Sequence, residues 1–142
     1  MVKKNLLLFS IISSLVILID QLTKILILSW KPQWDLKLLT IHLITNTGAG
    51  FGILQDQVVW LGIISLIAAA VIIYHYPKIS KEKLPQVLFA LLLGGIIGNL
   101  VDRLGRRFVV DFIDFSFWPA FNIADAAITI SALGLIWYYW KK

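Results

Sequence analysis

The sequence predicts an all-α membrane protein with four transmembrane helices and a small extracytoplasmic β element at the membrane surface. Apolar residues make up 59% of the 142 residues and charged residues 15%, and the mean hydropathy is +0.85. A water-soluble domain of this length would need far more polar surface. The apolar residues also form four segments of about 20 residues each, the length that crosses a bilayer. We therefore expect one integral membrane domain over residues 1–142.

The four spans are expected at about residues 6–28, 58–74, 84–101 and 120–139. The first begins like a signal peptide, but no small-x-small cleavage site follows and the apolar run resumes beyond Lys24, so we interpret it as a retained helix. The third ends at Asp102 and Arg103, and the fourth ends in an aromatic belt followed by two lysines.

The lysines predict the orientation. The N-terminal segment, the loop between spans two and three and the C-terminal segment together hold seven lysines and one acid, Glu82. An even number of spans places these three regions on one side, which the positive-inside rule makes cytoplasmic. Because the net charge of +5 comes from such short clusters, it is a topology signal and excludes a nucleic-acid partner. Without cysteine there is no disulfide, thiolate nucleophile or thiolate metal site.

The loops opposite those lysines have strand-like patterns. Residues 40–46 alternate roughly with period two and lead into a turn with Gly48, Gly50 and Gly52, which predicts a short strand or hairpin. Residues 109–118 would place Asp111, Ile113, Phe115 and Phe117 on one side if extended. We expect these apolar segments to rest at the membrane surface.

Four acids, Asp20, Asp102, Asp111 and Asp125, lie in or near the spans and fall towards the same membrane face. A charge at mid-span costs at least about 2.5–3.5 kcal/mol, so such acids indicate a functional site. Two carboxylates close together share one proton, so that one acts as a base towards water and the other as an acid. This is the apparatus of aspartic peptide hydrolysis. The residues alone leave open whether Asp102 or Asp111 is the partner of Asp125.

Structural explanations exist for several of these residues. Asp20 and Lys24, four apart, form an intrahelical ion pair that lowers the insertion cost. Asn122 followed by Asp125 resembles a capping box, and Arg103 suits an interfacial anchor. Gly94 and Gly98 form a small-xxx-small face for helix contact, which packing alone explains. Asp111, in contrast, has apolar neighbours on both sides, and its pKa should rise.

Other functional classes are less well supported. His42 and His75 fall on opposite sides of the membrane, which argues against a histidine metal site. A proton-coupled carrier or channel would also use membrane acids, but the chain has no inverted repeat and its polar residues stay in the outer half. An assembly scaffold using the glycine face leaves the acids unexplained.

Five motifs stand in order along the chain: Asp20-Gln21-x-Thr23-Lys24, Asn46-x-Gly48-Ala49-x-Phe51-Gly52, Gly94-Gly95-x-x-Gly98-Asn99-x-x-Asp102-Arg103, Val110-Asp111-Phe112 and Phe121-Asn122-x-Ala124-Asp125. Together they resemble the bacterial lipoprotein signal peptidase (signal peptidase II) family over nearly the whole chain, including its length and four-span topology. Gly50 is the visible departure, because the family usually has a second alanine after Ala49. A glycine there loosens the turn but removes no chemistry.

The resemblance implies an intramembrane aspartyl endopeptidase of the bacterial cytoplasmic (inner) membrane, without metal or cofactor, that cuts prolipoproteins before the diacylglyceryl-modified cysteine. Its partners would be these substrates and membrane lipid, and it would work as a monomer. It implies Asp111 and Asp125 as the catalytic pair, which suits the chemistry because Asp102 adjoins Arg103 and can be neutralised by it. The remaining site residues implied by the resemblance are Asp20, Lys24, Asn46, Gly95, Asn99, Asp102, Arg103 and Asn122.

Overall fold

The structure is a computed structural model that describes residues 2–50, 53–79 and 81–142, with side chains described from residue 5 onwards. Phe51 and Gly52 of the predicted glycine-rich turn lie outside the described residues, and so do the side chains of Lys3 and Lys4. In chain order the main elements are α1 (Val2–Trp30), β1 (Gln33–Asp35), β2 (Leu39–Asn46), α2 (Val58–His75), α3 (Lys83–Gly105), β3 (Val109–Phe115), β4 (Trp118–Phe121) and α4 (Ile123–Trp140).

All four long helices are long and apolar enough to cross a membrane, and the four strands form one antiparallel sheet in the order β1-β2-β3-β4. The predicted fold class is therefore confirmed. Two helices have other ends than the predicted spans. Helix α3 continues to Gly105, so Asp102 and Arg103 lie inside the helix. Helix α4 begins at Ile123 rather than near residue 120, because the preceding residues pair with β3 as strand β4.

Helix α3 is the central helix of the bundle and contacts α1, α2 and α4. Its glycines allow the neighbours to approach closely. A Cβ atom at Gly94 would lie 2.7 Å from the Val16 Cβ of α1, and one at Gly95 would lie 2.5 Å from the Ala124 carbonyl oxygen of α4. A Cβ at Gly98 would lie 2.7 Å from the Asp20 carboxylate. The predicted small-residue face is confirmed, and it lets the Asp20 carboxylate of α1 lie against the central helix α3.

The sheet lies at the end of the bundle where α1 and α3 finish and α2 and α4 begin. The predicted strand over residues 40–46 is confirmed as β2. The stretch 109–118 is two strands rather than one, because a turn follows Phe115. Phe117 therefore lies in the turn, 77% exposed, instead of on the strand face of Asp111. Strand β1, which no sequence pattern indicated, pairs with β2 at the edge of the sheet.

Candidate active site

Asp111 lies on β3 and is 2% exposed. Two asparagine side chains bind its carboxylate: Asn122 Nδ2 donates to Oδ1 at 2.7 Å, and Asn46 Nδ2 donates to Oδ2 at 2.9 Å. The sequence shows only apolar neighbours around Asp111, but its neighbours in space are polar. A buried carboxylate is stabilised by such donors, which satisfy both oxygens without neutralising the group.

A β-bulge places Asn46 on the correct face of the sheet. Ile41 pairs with Ile113 and Ile44 with Asp111, so β2 has one more residue than β3 in this interval. Without the extra residue, the alternation of side chains would put Thr45, and not Asn46, on the face of Asp111. The bulge thus determines which side chain reaches the carboxylate.

Asn122 joins the two predicted catalytic acids. Its Oδ1 accepts a hydrogen bond from the Asp125 backbone N–H at 2.9 Å, and its own backbone N–H donates to Asp125 Oδ2 at 3.3 Å. This is the capping box expected from the sequence, and it starts α4. The capping interpretation is therefore confirmed, and the same side chain also donates to Asp111, while the catalytic role of the motif stays a prediction.

Asn99 of α3 links Asp125 to Lys24. Its Nδ2 donates to Asp125 Oδ1 at 2.7 Å, and its Oδ1 accepts from Lys24 Nζ at 3.0 Å. An ammonium has donors only, so Lys24 fixes the orientation of the Asn99 amide with its oxygen towards the lysine and its NH₂ group towards Asp125. The fully buried lysine therefore acts on the site through an asparagine.

Lys24 is the centre of a buried charge cluster. Its Nζ lies 2.8 Å from Asp20 Oδ2 and 3.0 Å from Asp102 Oδ2, and all three side chains are fully buried. The other oxygen of Asp20 accepts from the backbone N–H of Ala124 at 2.9 Å, and Asp102 Oδ2 also accepts from the N–H of Val110 at 3.0 Å. The two acids thereby hold the residue before Asp125 and the residue before Asp111.

The expected neutralisation of Asp102 by Arg103 is wrong. Asp102 pairs with Lys24 and, through its other oxygen, with Arg106, while Arg103 donates to Ser65 Oγ at 3.4 Å. Arg106 lies about one helical turn beyond Asp102 and therefore on the same face of α3. Arg103, the adjacent residue, lies on a different face of the helix.

Sequence reasoning did not assign Gln21 or Arg106 to the site. Arg106 donates to Gln21 Oε1 at 3.0 Å, and Gln21 Nε2 donates to Asp102 Oδ1 at 3.1 Å and to Asp20 Oδ2 at 3.2 Å. Arg106 could have been found from its four-residue spacing to Asp102, if the predicted helix α3 had been extended by one turn.

A cavity of about 380 Å³ opens beside these groups. Its polar wall contains Asn46, Asn99, Arg103 and Asp125, and its apolar wall includes Trp118 and residues of α4. Asp125 is partly exposed, whereas Asp111 does not line the cavity because it is almost fully covered. Of the Arg103 guanidinium, the Nε atom is buried without a hydrogen-bond partner among the described residues.

Burial raises the pKa of Asp111 from 3.8 to about 6, and the neighbouring Asp125 carboxylate adds to the increase. The hydrogen bonds from Asn46 and Asn122 favour the ionised form, but burial outweighs them. Asp111 can therefore hold or release a proton near neutral pH, the property that a general acid or base needs. Within residues 2–50, 53–79 and 81–142, no three His, Cys, Asp or Glu side chains are grouped as metal ligands.

The fold and the site define a multi-pass membrane enzyme. A solved structure described as a bacterial membrane enzyme at 2.3 Å resolution is similar with a TM-score of 0.88 and 31% identity, covering 94% of this chain and 87% of that one. A second structure described in the same way, at 1.9 Å resolution, gives a TM-score of 0.82 and 32% identity over 92% of this chain and 91% of that one.

The model of the family described as "Signal peptidase (SPase) II" matches residues 12–141. The chain belongs to the signal peptidase II family and is a membrane peptidase. Similar relatives include the lipoprotein signal peptidases of Halothermothrix orenii, 34% identical over 93% of this chain and 94% of that one, and of Shouchella clausii, 43% identical over 84% of each. The lipoprotein signal peptidase of Burkholderia mallei is 41% identical over 89% of this chain and 83% of its own length.

Proposed function

We propose that this protein is an aspartic endopeptidase that removes signal peptides from prolipoproteins by cutting before the diacylglyceryl-modified cysteine. Asp111 and Asp125 are its catalytic pair. The observation that carries the proposal is the binding of both carboxylates by Asn122, which holds Asp111 close to Asp125 at the wall of the cavity. The names of the relatives supply the substrate class.

The reaction requires one proton shared between the two acids. The ionised carboxyl takes a proton from water, the resulting hydroxide attacks the scissile carbonyl carbon, and the protonated carboxyl donates to the carbonyl oxygen. The tetrahedral intermediate then collapses as the C–N bond breaks and the leaving nitrogen takes a proton from the acid formed in the first step. The other carboxylate takes a proton back from a hydroxyl group as the carbonyl re-forms, which restores the shared proton. With a pKa of about 6, Asp111 is able to take part in either direction of this exchange.

The remaining site residues divide between the substrate and the framework. Asn46, Asn99 and Arg103 line the cavity and would contact the peptide around the scissile bond. Asn122 contacts both acids, and the cluster of Asp20, Lys24 and Asp102 positions them through the backbone and through Asn99. Gly95 supports the site because only a residue without a side chain lets α3 approach the carbonyl of Ala124.

The position of the cavity suits a lipidated substrate. The acyl chains and the signal helix of such a substrate both reside in the bilayer, and the cavity lies at the outer end of helices that would face hydrocarbon. Trp118 and Ile128 supply apolar surface to the cavity, and Asn99 and Arg103 supply polar groups.

We further propose that the single domain of residues 1–142 acts as a monomer in the bacterial cytoplasmic (inner) membrane with both termini cytoplasmic. The positive-inside rule supports this orientation. The bond from Asn5 to the Lys81 carbonyl and the Lys142–Glu82 ion pair bring the N-terminal helix, the α2–α3 connection and the C-terminus together at the end of the bundle opposite the sheet. The active site is then near the outer face.

Residues 36–53 and 109–118 would form a mobile cover that clamps the peptide and limits water entry. Two observations support this role: the segments carry few charges, and Ala49, Gly50 and Val109 line the cavity. Gly48 is not a freely replaceable hinge, because a Cβ there would lie 2.6 Å from the Ile53 carbonyl oxygen, whereas Gly50 has nothing within 4 Å.

The decisive experiment incubates the purified protein in detergent with a diacylglyceryl-modified prolipoprotein and with the same chain unmodified. We expect cleavage of the modified chain only, with the new N-terminus at the cysteine when the product is sequenced. The Asp125→Asn variant should be inactive, while Asp114→Asn, which changes an acid bound to His42 outside the site, should retain activity. Equal cleavage of both substrates, or an active Asp125→Asn variant, would contradict the proposal.

A further inference from the structure

A second concave surface lies on the lipid-facing side of the bundle, between the beginning of α2 and the end of α3. It is a groove of about 120 Å³. Its apolar lining comes from both helices: Val58, Val59, Ile63, Leu66, Leu100 and Leu104. Most of these side chains are well exposed in the structure, and they belong to helices that are long and apolar enough to cross a membrane.

Two arginines stand at the outer end of this groove, Arg103 and Arg107. Arg103 also lines the active-site cavity, which places the groove at the depth of the site. Arg107 is exposed, and its guanidinium has no hydrogen bond or ion pair in the part of the chain that the structure describes. It thus differs from Arg106, whose charge is paired with Asp102.

The backbone at Arg107 ends α3. Its φ of +66° lies in the left-handed region, which helices commonly adopt just past the C-cap, here Arg106, and which glycine adopts most easily. Among the described residues, a cation without a partner therefore stands two residues after Gly105, at the mouth of an apolar groove.

We propose that this groove binds an anionic phospholipid of the leaflet next to the sheet, with one acyl chain between α2 and α3 and the phosphate at Arg107. The two halves of the groove match the two halves of such a lipid. The apolar lining suits an acyl chain, and an arginine at headgroup depth binds phosphate by charge-assisted hydrogen bonds. This binding site is independent of the catalytic proposal above.

Two variants separate the contributions of charge and groove. Arg107→Gly removes the guanidinium and suits the left-handed backbone, so the fold should be kept. Gly62→Leu fills the groove, and a Cβ at this position meets only the Arg103 Cβ, at an ordinary 3.9 Å. The matched controls are Lys37→Gly, which removes an equally exposed cation at a φ of +70° away from the groove, and Gly105→Leu, where a Cβ has nothing within 4 Å.

The test measures the affinity of the detergent-solubilised protein for phosphatidylglycerol and phosphatidylcholine by native mass spectrometry. We expect tighter binding of phosphatidylglycerol and a loss of about fivefold in Arg107→Gly, the factor that corresponds to about 1 kcal/mol for one basic residue at an anionic lipid. Gly62→Leu should weaken binding of both lipids, and both controls should behave as the unmodified protein does.

Four results would overturn the proposal. Equal losses in Arg107→Gly and Lys37→Gly would mean that only net charge matters. Unchanged binding in Gly62→Leu would mean that no chain lies in the groove, and a higher KM for prolipoprotein in that variant would assign the groove to the substrate instead. Loss of the phosphatidylglycerol preference in excess inorganic phosphate, with Gly62→Leu unaffected, would reduce the site to a free-phosphate site. Because the readout is lipid affinity, failure here leaves the peptidase proposal intact.

Discussion

Replacement of Asp20 by asparagine should lower both stability and activity. Asp20 Oδ2 accepts from Lys24 Nζ at 2.8 Å and from Gln21 Nε2 at 3.2 Å, and Oδ1 accepts from Ala124 N–H at 2.9 Å. An amide has one acceptor oxygen, so if that oxygen stays on Ala124 the NH₂ group faces the donors of Lys24 and Gln21. Asp102, which also pairs with Arg106, is then the one carboxylate that Lys24 contacts among the described residues.

The magnitude follows from burial. Asp20 and Lys24 are both fully buried, and breaking a buried pair by removal of one charge costs about 3–5 kcal/mol, a large part of the roughly 5–15 kcal/mol that stabilises a typical fold.

The assay is an SDS titration in mixed micelles with cleavage kinetics on the same preparation. Asp114→Asn is the control, because its ion pair with His42 is 34% exposed on each side and should contribute at most about 1 kcal/mol. Loss of activity without loss of stability would refute the supporting role and place Asp20 in the catalytic site.

Three further predictions concern the acids and the outer loops. Asp111→Asn and Asp125→Asn should each abolish cleavage in a folded protein, and the double variant should be scarcely worse; strictly multiplicative losses in cleavage rate would make one of them merely structural. Because the pKa of Asp111 is 3.8 in the unfolded chain and about 6 in the folded protein, the unfolding free energy should fall as pH rises from about 4 to 6 and then level off. Denaturant titrations at several pH values across that range should show that the unfolding free energy of Asp111→Asn changes less with pH. An identical dependence on pH in the two proteins would contradict the pKa assigned to Asp111. Gly50→Ala should be nearly neutral, since nothing lies within 4 Å of a Cβ there, whereas Asn46→Ala should slow turnover by removing a donor to Asp111; the opposite ranking in kinetics would contradict the site.

The sequence was sufficient for the number of helices and for the capping box at the start of α4. Hydropathy and length define the spans because a helix that crosses lipid needs apolar side chains over about 20 residues. The Asn122 and Asp125 pair was also predictable, because a capping box is a local pattern of four residues.

The contacts between elements were not predictable in the same way. Which side chain neutralises Asp102 depends on one additional turn of α3, and hydropathy cannot show that turn because it carries arginine. The position of Asn46 depends on one extra residue in β2, which alternation alone does not reveal. The choice of Asp111 over Asp102 as partner of Asp125 came from the family pattern and stays a proposal, which the contacts of Asn122 with Asp111 and Asp125 support.

The capping role of Asn122 links the first turn of α4 to both of the proposed catalytic acids. Helix ends commonly fray, opening and closing while the rest of the fold stays intact. In this protein, fraying at Asn122 would release Asp125 and withdraw a donor from Asp111 in the same event. Heat inactivation should therefore follow the melting of a single helical turn and precede the collapse of the bundle. The hydrogen-exchange rate of the Asp125 backbone amide would report how often this turn opens, and therefore how often the site is disrupted.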